Sequence, residues 1–223
     1  MSGVSDQVGL TVAAVADPHG WAVVVTVAPD GTVVDRRRAE LIDPALPSSP
    51  VHHEGQSLAL EEAVALVREV ERSVALHVRA LWDALGTDHD VASVAIREIP
   101  RVPSEIAEQI RSYHAQTRAD SAMYLRLLAD HATQRGWAVH FYDHRHVIDE
   151  ATTTLDLAPQ HLAAPRGHLG PPWTIDHRRA YAAALLAQHD HDPGRTDATA
   201  APKNSPRWID TKTGTPRRNA KLT

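Results

Sequence analysis

The chain has 223 residues, of which 43% are hydrophobic, and it contains no cysteine. This apolar content suits one ordinary domain, with or without a tail, and the lack of cysteine excludes disulfides and thiolate zinc sites. No segment approaches the roughly 18 apolar residues of a membrane span, and the N-terminus does not resemble a secretory signal. We therefore expect a cytoplasmic protein with no membrane contact.

Charge is distributed unevenly along the chain. From Gly194 onward there are seven Arg or Lys residues and two Asp, a formal charge of +5, whereas the preceding residues include 16 basic and 26 acidic side chains, a formal charge of −10. An acidic body is not typical of a general nucleic-acid-binding protein. It could hold divalent cations at a carboxylate cluster while the tail contacts phosphate. The alternative is a solvated acidic surface followed by a disordered tail.

Three antiparallel strands are predicted at the start of the chain. Residues 10–16 are a run of small and β-branched side chains, which is typical of a strand buried on both faces. A second strand over 21–27 ends at Pro29-Asp30-Gly31, a strong turn signal. The third strand covers roughly 32–38.

Strand and helix segments then alternate. An apolar stripe predicts a long helix over 58–85, capped by Ser57 and ended by Gly86. The next helical region, 104–135, is expected to form two helices, or one helix with an irregularity near 116–120. The remaining predicted elements are strands over 91–96 and 137–142, a helix over 145–155, a Pro/Gly loop over 165–172 and a last helix over 175–188.

This order predicts a mixed α/β sheet with helices on both faces. We expect an N-terminal extension over 1–9, a folded domain over 10–190 and a disordered basic tail over 191–223.

Three acidic residues lie where such an architecture could bring them together. Asp17 ends the first strand, Glu98 follows the fourth, and Asp176 lies in the first turn of the last helix. Asp176 shares its helix face with Ala180, Ala183, Ala184 and Ala187, and a face of alanines can approach a sheet closely. Two or three converging carboxylates are what a Mg²⁺ or Mn²⁺ pair requires for phosphodiester cleavage.

The order of these motifs resembles the ribonuclease H-like superfamily, and within it the RuvC-type Holliday-junction resolvases. The first acid of that group lies in an Ile-Asp-Pro-Gly pattern, and its second follows an Ala-Ile pair. An Ala-Asp-Ser-Ala helix start comes next, and the last acids precede an Ala/Leu-rich helix. The corresponding segments here are Ala16-Asp17-Pro18-His19-Gly20, Ala95-Ile96-Arg97-Glu98, Ala119-Asp120-Ser121-Ala122 and Asp176 with the alanines that follow it.

The resemblance implies a ribonuclease H-like mixed five-stranded sheet, with a three-strand antiparallel meander and two parallel strands. It also implies a divalent-metal-dependent nuclease that acts on DNA, including branched or structured DNA. Asp17, Glu98 and Asp176 would hold Mg²⁺ or Mn²⁺, and His19 or His177 would assist catalysis. A homodimer is implied as well, because resolvases of this type act as dimers.

The chain also departs from the family pattern. Glu98 comes one residue late after the Ala-Ile pair, which in a strand places it on the opposite face. Arg179 occupies the position of the second acid of the last helix. These departures favour an alternative function, a catalytically degenerate module for binding or assembly. Each acid also has a purely structural interpretation: Asp17 as a turn residue, Glu98 as a solvated strand end and Asp176 as a partner of the helix dipole.

Histidines suggest a third function, a metal-dependent hydrolase with His and carboxylate ligands. His19, His177 and the loop segment His52-His53-Glu54 are the candidate ligands. Two further features have a binding and a structural interpretation. Trp173 could stack on a base or anchor the last helix, and the three arginines 36–38 could contact phosphate or line a solvated edge.

Overall fold

The computed structural model describes residues 9–17, 20–158 and 160–190, and for residues 10–17 it describes the backbone alone. These residues belong to one unit of the chain, Met1–His191. Most of the predicted N-terminal extension and the predicted basic tail over 191–223 lie outside the described residues.

Five strands form one sheet, in the order β3-β2-β1-β4-β5. β1, β2 and β3 pair antiparallel, while β4 and β5 run parallel to β1. The turn predicted between the second and third strands is present: Gly31 has a φ of 83°, and the Ala28 N–H donates to the Thr32 carbonyl at 2.8 Å. The strands are β1 (Leu10–Asp17), β2 (Trp21–Val27), β3 (Val33–Glu40), β4 (Val91–Arg97) and β5 (Ala138–Tyr142).

Six α-helices accompany the sheet in the described residues, which confirms the α/β class. None of these helices is long and apolar enough to cross a membrane. The Pro/Gly segment that was predicted as a loop contains a short helix, which begins at Pro165. The helices are α1 (Leu60–Asp88), α2 (Ile106–Arg111), α3 (Tyr113–Gln134), α4 (Val147–Thr154), α5 (Pro165–Leu169) and α6 (Ile175–Asp190).

Both predicted ends of the long helix were wrong. Ser57 does not cap α1, because it closes a short 3-10 turn, where its Oγ donates to the Glu54 carbonyl at 2.9 Å. Gly86 does not end α1, which continues to Asp88. A Cβ at Gly86 would lie 3.3 Å from the Trp137 ring, so this glycine allows close contact within the helix rather than a stop.

The second helical region forms two helices, α2 and α3, which is the first of the two predicted alternatives. The break between them lies at Ser112, whose Oγ accepts the Ala115 N–H. Asp120 is therefore inside α3 rather than at a helix start. Its buried carboxylate accepts the N–H groups of Val51 and His52, each at 3.0 Å, which holds the preceding loop against the helix.

The sheet is buried on both faces by different helices. Alternate residues of β2 enter different cores: Val24 packs with α1 and α3, whereas Val23 and Val25 pack with α4 and α6. This alternation is the two-residue period of a strand. Because both faces are covered, β2 is apolar except for the buried Thr26, as expected for a strand of this kind.

Helix α6 packs on β1, β2 and β4 through its alanines. Ala180, Ala183, Ala184 and Ala187 are each no more than 2% exposed, so the predicted close face is confirmed. Small side chains allow the helix backbone to lie near the sheet. The first turn of α6 is thereby carried to the edge where β4 ends.

Enlarging this face should destabilise the fold. We expect Ala184→Leu to lower the free energy of unfolding by about 1–3 kcal/mol, because the added atoms have no space against the sheet. Urea unfolding measures the effect, and Ala65→Leu on the exposed face of α1 is the matched control. Equal stability of the two variants would contradict a tightly packed alanine face.

Candidate functional site

Parallel strands end at the same edge of a sheet, so the carboxyl ends of β1, β4 and β5 meet; we call this the carboxyl edge. Asp17 is the last residue of β1, where its backbone pairs with Trp21. The side chain of Asp17 and the whole of His19 lie outside the described residues. The roles predicted for them as metal ligand and catalytic assistant stay predictions.

The side chain that β4 delivers to this edge is an arginine. Arg97 is the last residue of β4 and pairs with Tyr142 of β5. Glu98 follows the strand, its N–H donates to the Tyr142 carbonyl at 2.9 Å, and its side chain is exposed. Because successive strand residues face opposite sides of a sheet, it is Arg97 that shares a face with Tyr142.

Asp176 is present at the start of α6, as predicted, but it is not a free carboxylate. Its Oδ1 accepts from Arg179 Nη1 at 3.3 Å, and both side chains are about one-third exposed (31%). Arg179 follows Asp176 at the helical spacing of three, which places the two groups on neighbouring positions of one face. The positive charge of Arg179 offsets the negative charge of Asp176, which would otherwise be available to bind a cation.

Tyr142 is the last residue of β5 and was not identified from the sequence as a site residue. It is 6% exposed, packs in the core formed with α4 and α6, and its hydroxyl has no hydrogen-bond partner in the described structure. Burial raises the pKa of this phenol, while the charges of Arg97 and Arg179 act in the opposite direction. Arg97 is its direct neighbour in the β4–β5 ladder.

His144 follows β5 and experiences the same two positive charges. Burial lowers its pKa, and Arg97 and Arg179 lower it further. A histidine with a lowered pKa is neutral at pH 7, so the positive charge of this region comes from the arginines. The neighbouring Asp143 is used in a turn, where it accepts the Arg145 N–H at 2.9 Å.

The predicted divalent metal pair stays a prediction, because it includes the Asp17 side chain, which lies outside the described residues. The described side chains by themselves contain no group of three His, Asp or Glu that could hold a metal ion. At the carboxyl edge, Arg97 ends β4 and Arg179 is paired with Asp176, and a guanidinium beside a dication is repelled. The loop segment His52-His53-Glu54 likewise forms no such group with the other described side chains.

His177 has a structural environment at the start of α6. It is buried, and its Nδ1 accepts the Thr174 N–H at 3.2 Å and the Thr174 hydroxyl at 2.9 Å. Burial lowers its pKa, which keeps the accepting nitrogen unprotonated. Trp173 packs next to it and donates from Nε1 to the Leu162 carbonyl at 2.9 Å, so Trp173 anchors the helix rather than presenting a free ring.

Arg36 of β3 holds the loop that precedes α6. Its guanidinium donates to the carbonyls of Leu169, Gly170 and Pro171 at 3.0, 2.9 and 3.1 Å, and also to that of Pro172. Four carbonyl acceptors offset the partial burial of the charge. The contacts tie β3 to the entrance of α6 and thereby help to set the position of Asp176.

The other two arginines of this strand are also engaged within the chain. Arg37 pairs with Asp35 and Asp88, and Arg38 pairs with Glu40 and lies 4.3 Å from the Trp21 ring centre. The phosphate-binding interpretation of residues 36–38 is therefore not supported by the structure.

Two solved structures resemble this chain. A RuvC from T. thermophilus in complex with a Holliday junction substrate is 17% identical, with a TM-score of 0.44, and the match covers 81% of this chain and 94% of that one. A second Thermus thermophilus RuvC structure is 18% identical, with a TM-score of 0.41, covering 80% and 95%. No protein-family model and no curated protein matches the chain.

Replacing Arg36, which holds residues 169–172, should loosen the loop that precedes α6. We expect Arg36→Lys to lower the free energy of unfolding by about 2 kcal/mol, because a lysine cannot donate to the four carbonyls from one planar group. Thermal unfolding measures the loss, and proteolysis between residues 169 and 172 should become faster. Arg38→Lys is the control, since that side chain is 58% exposed. A similar loss of stability in the control would argue against a specific role of Arg36 in holding this loop.

Proposed function

We propose that this chain is a ribonuclease H-like module that binds nucleic acid through its phosphates and does not cleave it. The observation that carries the proposal is the presence of Arg97 and Arg179 at the carboxyl edge, where cleavage would require converging carboxylates. DNA is the proposed partner.

The architecture supports the fold part of the proposal. An antiparallel meander, two strands parallel to β1 and helices on both faces are the arrangement that the order of the sequence motifs implies. The last helix packs across the first, second and fourth strands. Its start therefore lies beside the strand ends that carry the proposed function.

The chemistry of arginine supports the binding part. A guanidinium presents several N–H donors in a fixed plane, which suits phosphate oxygens. Contacts to phosphate position a protein on nucleic acid without specifying a sequence. Since the body of the chain is acidic, we expect attraction to DNA to be confined to a local basic edge rather than spread over the surface.

A metal-dependent nuclease is the second candidate, and one observation favours it. Asp17 stands at the carboxyl end of β1, and α6, which carries Asp176, packs against that strand. In this function Asp17, Glu98 and Asp176 would be the ligands, with His19 or His177 assisting. The arginine pair would then have to leave room for the metal.

Binding and cleavage can be separated in one experiment. We expect fluorescence anisotropy to show that the full-length protein binds labelled DNA, with an affinity that falls as salt rises. Branched, duplex and single-stranded oligonucleotides should all remain uncut in Mg²⁺ or Mn²⁺. Asp17→Asn should leave binding within twofold of the wild type, because the proposed contacts come from arginines.

Two results would change this conclusion. Metal-dependent cleavage that disappears in Asp17→Asn, with unchanged folding by circular dichroism, would establish the nuclease instead. Failure to bind any of the three DNA forms at low salt would reject the binding module.

A further inference from the structure

The hydroxyl of Tyr142, at the carboxyl edge, is buried without a hydrogen-bond partner in the described structure. A buried hydroxyl normally has a hydrogen-bond partner, because burial without one costs free energy. The Tyr142 side chain is more than nine-tenths buried and its hydroxyl has no partner in the described structure. The other tyrosines of the described core are satisfied: Tyr124 donates to the Ser48 carbonyl at 3.0 Å and Tyr181 to the Gly31 carbonyl at 2.8 Å.

Two guanidinium groups at the carboxyl edge have unused donors. Arg97 pairs with Tyr142 in the β4–β5 ladder and is half-buried, and its guanidinium makes no hydrogen bond or ion pair that the described part of the chain shows. Arg179 uses one nitrogen on Asp176. A guanidinium has five N–H donors and no acceptor, so both groups retain donors for another molecule.

The charges at this position favour an anion. Arg97 is the neighbour of Tyr142 in the β4–β5 ladder, and Arg179 lies near the start of α6, which packs against β4. Burial raises the pKa of the Tyr142 phenol, and the positive charges of both arginines act in the opposite direction. His144 contributes no charge at pH 7 because its pKa is lowered. A dication would be repelled by the two guanidiniums, whereas an oxyanion would be attracted by them.

We propose that Arg97, Arg179 and the Tyr142 hydroxyl form a binding site for a phosphate group; we call these three residues the arginine site. Two guanidiniums and a hydroxyl supply donors in several directions. A tetrahedral phosphate, with more oxygens than a carboxylate, can accept from all three. The inference rests on the proposed function, because it names the phosphate-binding site of that function, and the phosphate can come from the DNA backbone or from free phosphate.

The first test uses inorganic phosphate and thermal unfolding, since a ligand that binds only the native state raises the melting temperature. We expect phosphate to raise the melting temperature of the full-length protein relative to sodium chloride at the same ionic strength. Arg97→Gln should remove most of this rise. Arg101→Gln, which makes the same charge change at an exposed position, should keep it.

A tyrosine pair distinguishes ligand binding from a structural role. Tyr142→Phe removes a hydroxyl without a partner, so the unliganded protein should be as stable as the wild type or more stable, while the rise with phosphate becomes smaller. Tyr181→Phe removes a hydroxyl that donates to a carbonyl, so the protein should be less stable, while the rise with phosphate is unchanged. This pair keeps the test informative if Arg97→Gln fails to fold.

The source of the phosphate is decided with DNA. If the arginine site holds a backbone phosphate, Arg97→Gln should weaken binding to all DNA forms alike and lower the slope of log affinity against log salt by about 1. Free phosphate should also compete with DNA for the wild type. Arg101→Gln should retain the wild-type slope and affinity.

The outcomes separate the two proposals. Suppose that Arg97→Gln and Tyr142→Phe reduce the phosphate-induced rise in melting temperature but leave DNA binding unchanged. This result supports the arginine site for free phosphate and rejects it as the DNA site. If phosphate does not raise the melting temperature and neither variant affects DNA binding, the arginine site is overturned while the DNA-binding function stands. The arginine site is also overturned if phosphate raises the melting temperature of all variants equally.

Discussion

The close contact between the alanine face of α6 and the sheet is the constraint on which this structure depends. Four alanines on one side of the helix are almost fully buried against strand valines. Larger side chains would hold the helix away from the sheet, since protein interiors are packed near the density of organic crystals. The contact brings the first turn of α6 to the carboxyl edge, where Asp176 and Arg179 join the ends of β4 and β5. Arg36 reinforces this position from β3.

The chemistry of the carboxyl edge follows from which residue each strand places there. β4 ends at Arg97 rather than at a carboxylate, and the next residue, Glu98, is exposed beyond the strand. The start of α6 adds an acid that is already paired with an arginine. An architecture that could assemble carboxylates around a cation is thus combined with side chains whose charge suits an anion. Tyr142, whose hydroxyl has no partner in the described structure, is the neighbour of Arg97 in the β4–β5 ladder.

Prediction from the sequence succeeded where the signals were local. The Pro-Asp-Gly turn, the apolar run of β2 and the alanine spacing of α6 each follow from a short pattern with one preferred structure. Prediction failed where a residue typical of a helix end has a different structural role in the folded protein. Ser57 closes a 3-10 turn instead of capping α1, and Gly86 accommodates a tryptophan ring instead of ending the helix. The Ala-Asp-Ser-Ala segment lies inside α3 because the helix begins earlier, at Ser112.

The sequence by itself determined the α/β class, the order of most elements, the burial of the central strands and the candidate acids at strand and helix ends. These features depend on residue periodicity and turn chemistry, which act over a few neighbouring residues. Only the tertiary structure decided that Arg97 meets Tyr142 across two strands, that α6 packs against β4, and that the Tyr142 hydroxyl is buried without a partner among the described residues. Arg97 and Tyr142 are 45 positions apart along the chain. Strand register, rather than local preference, brings them together.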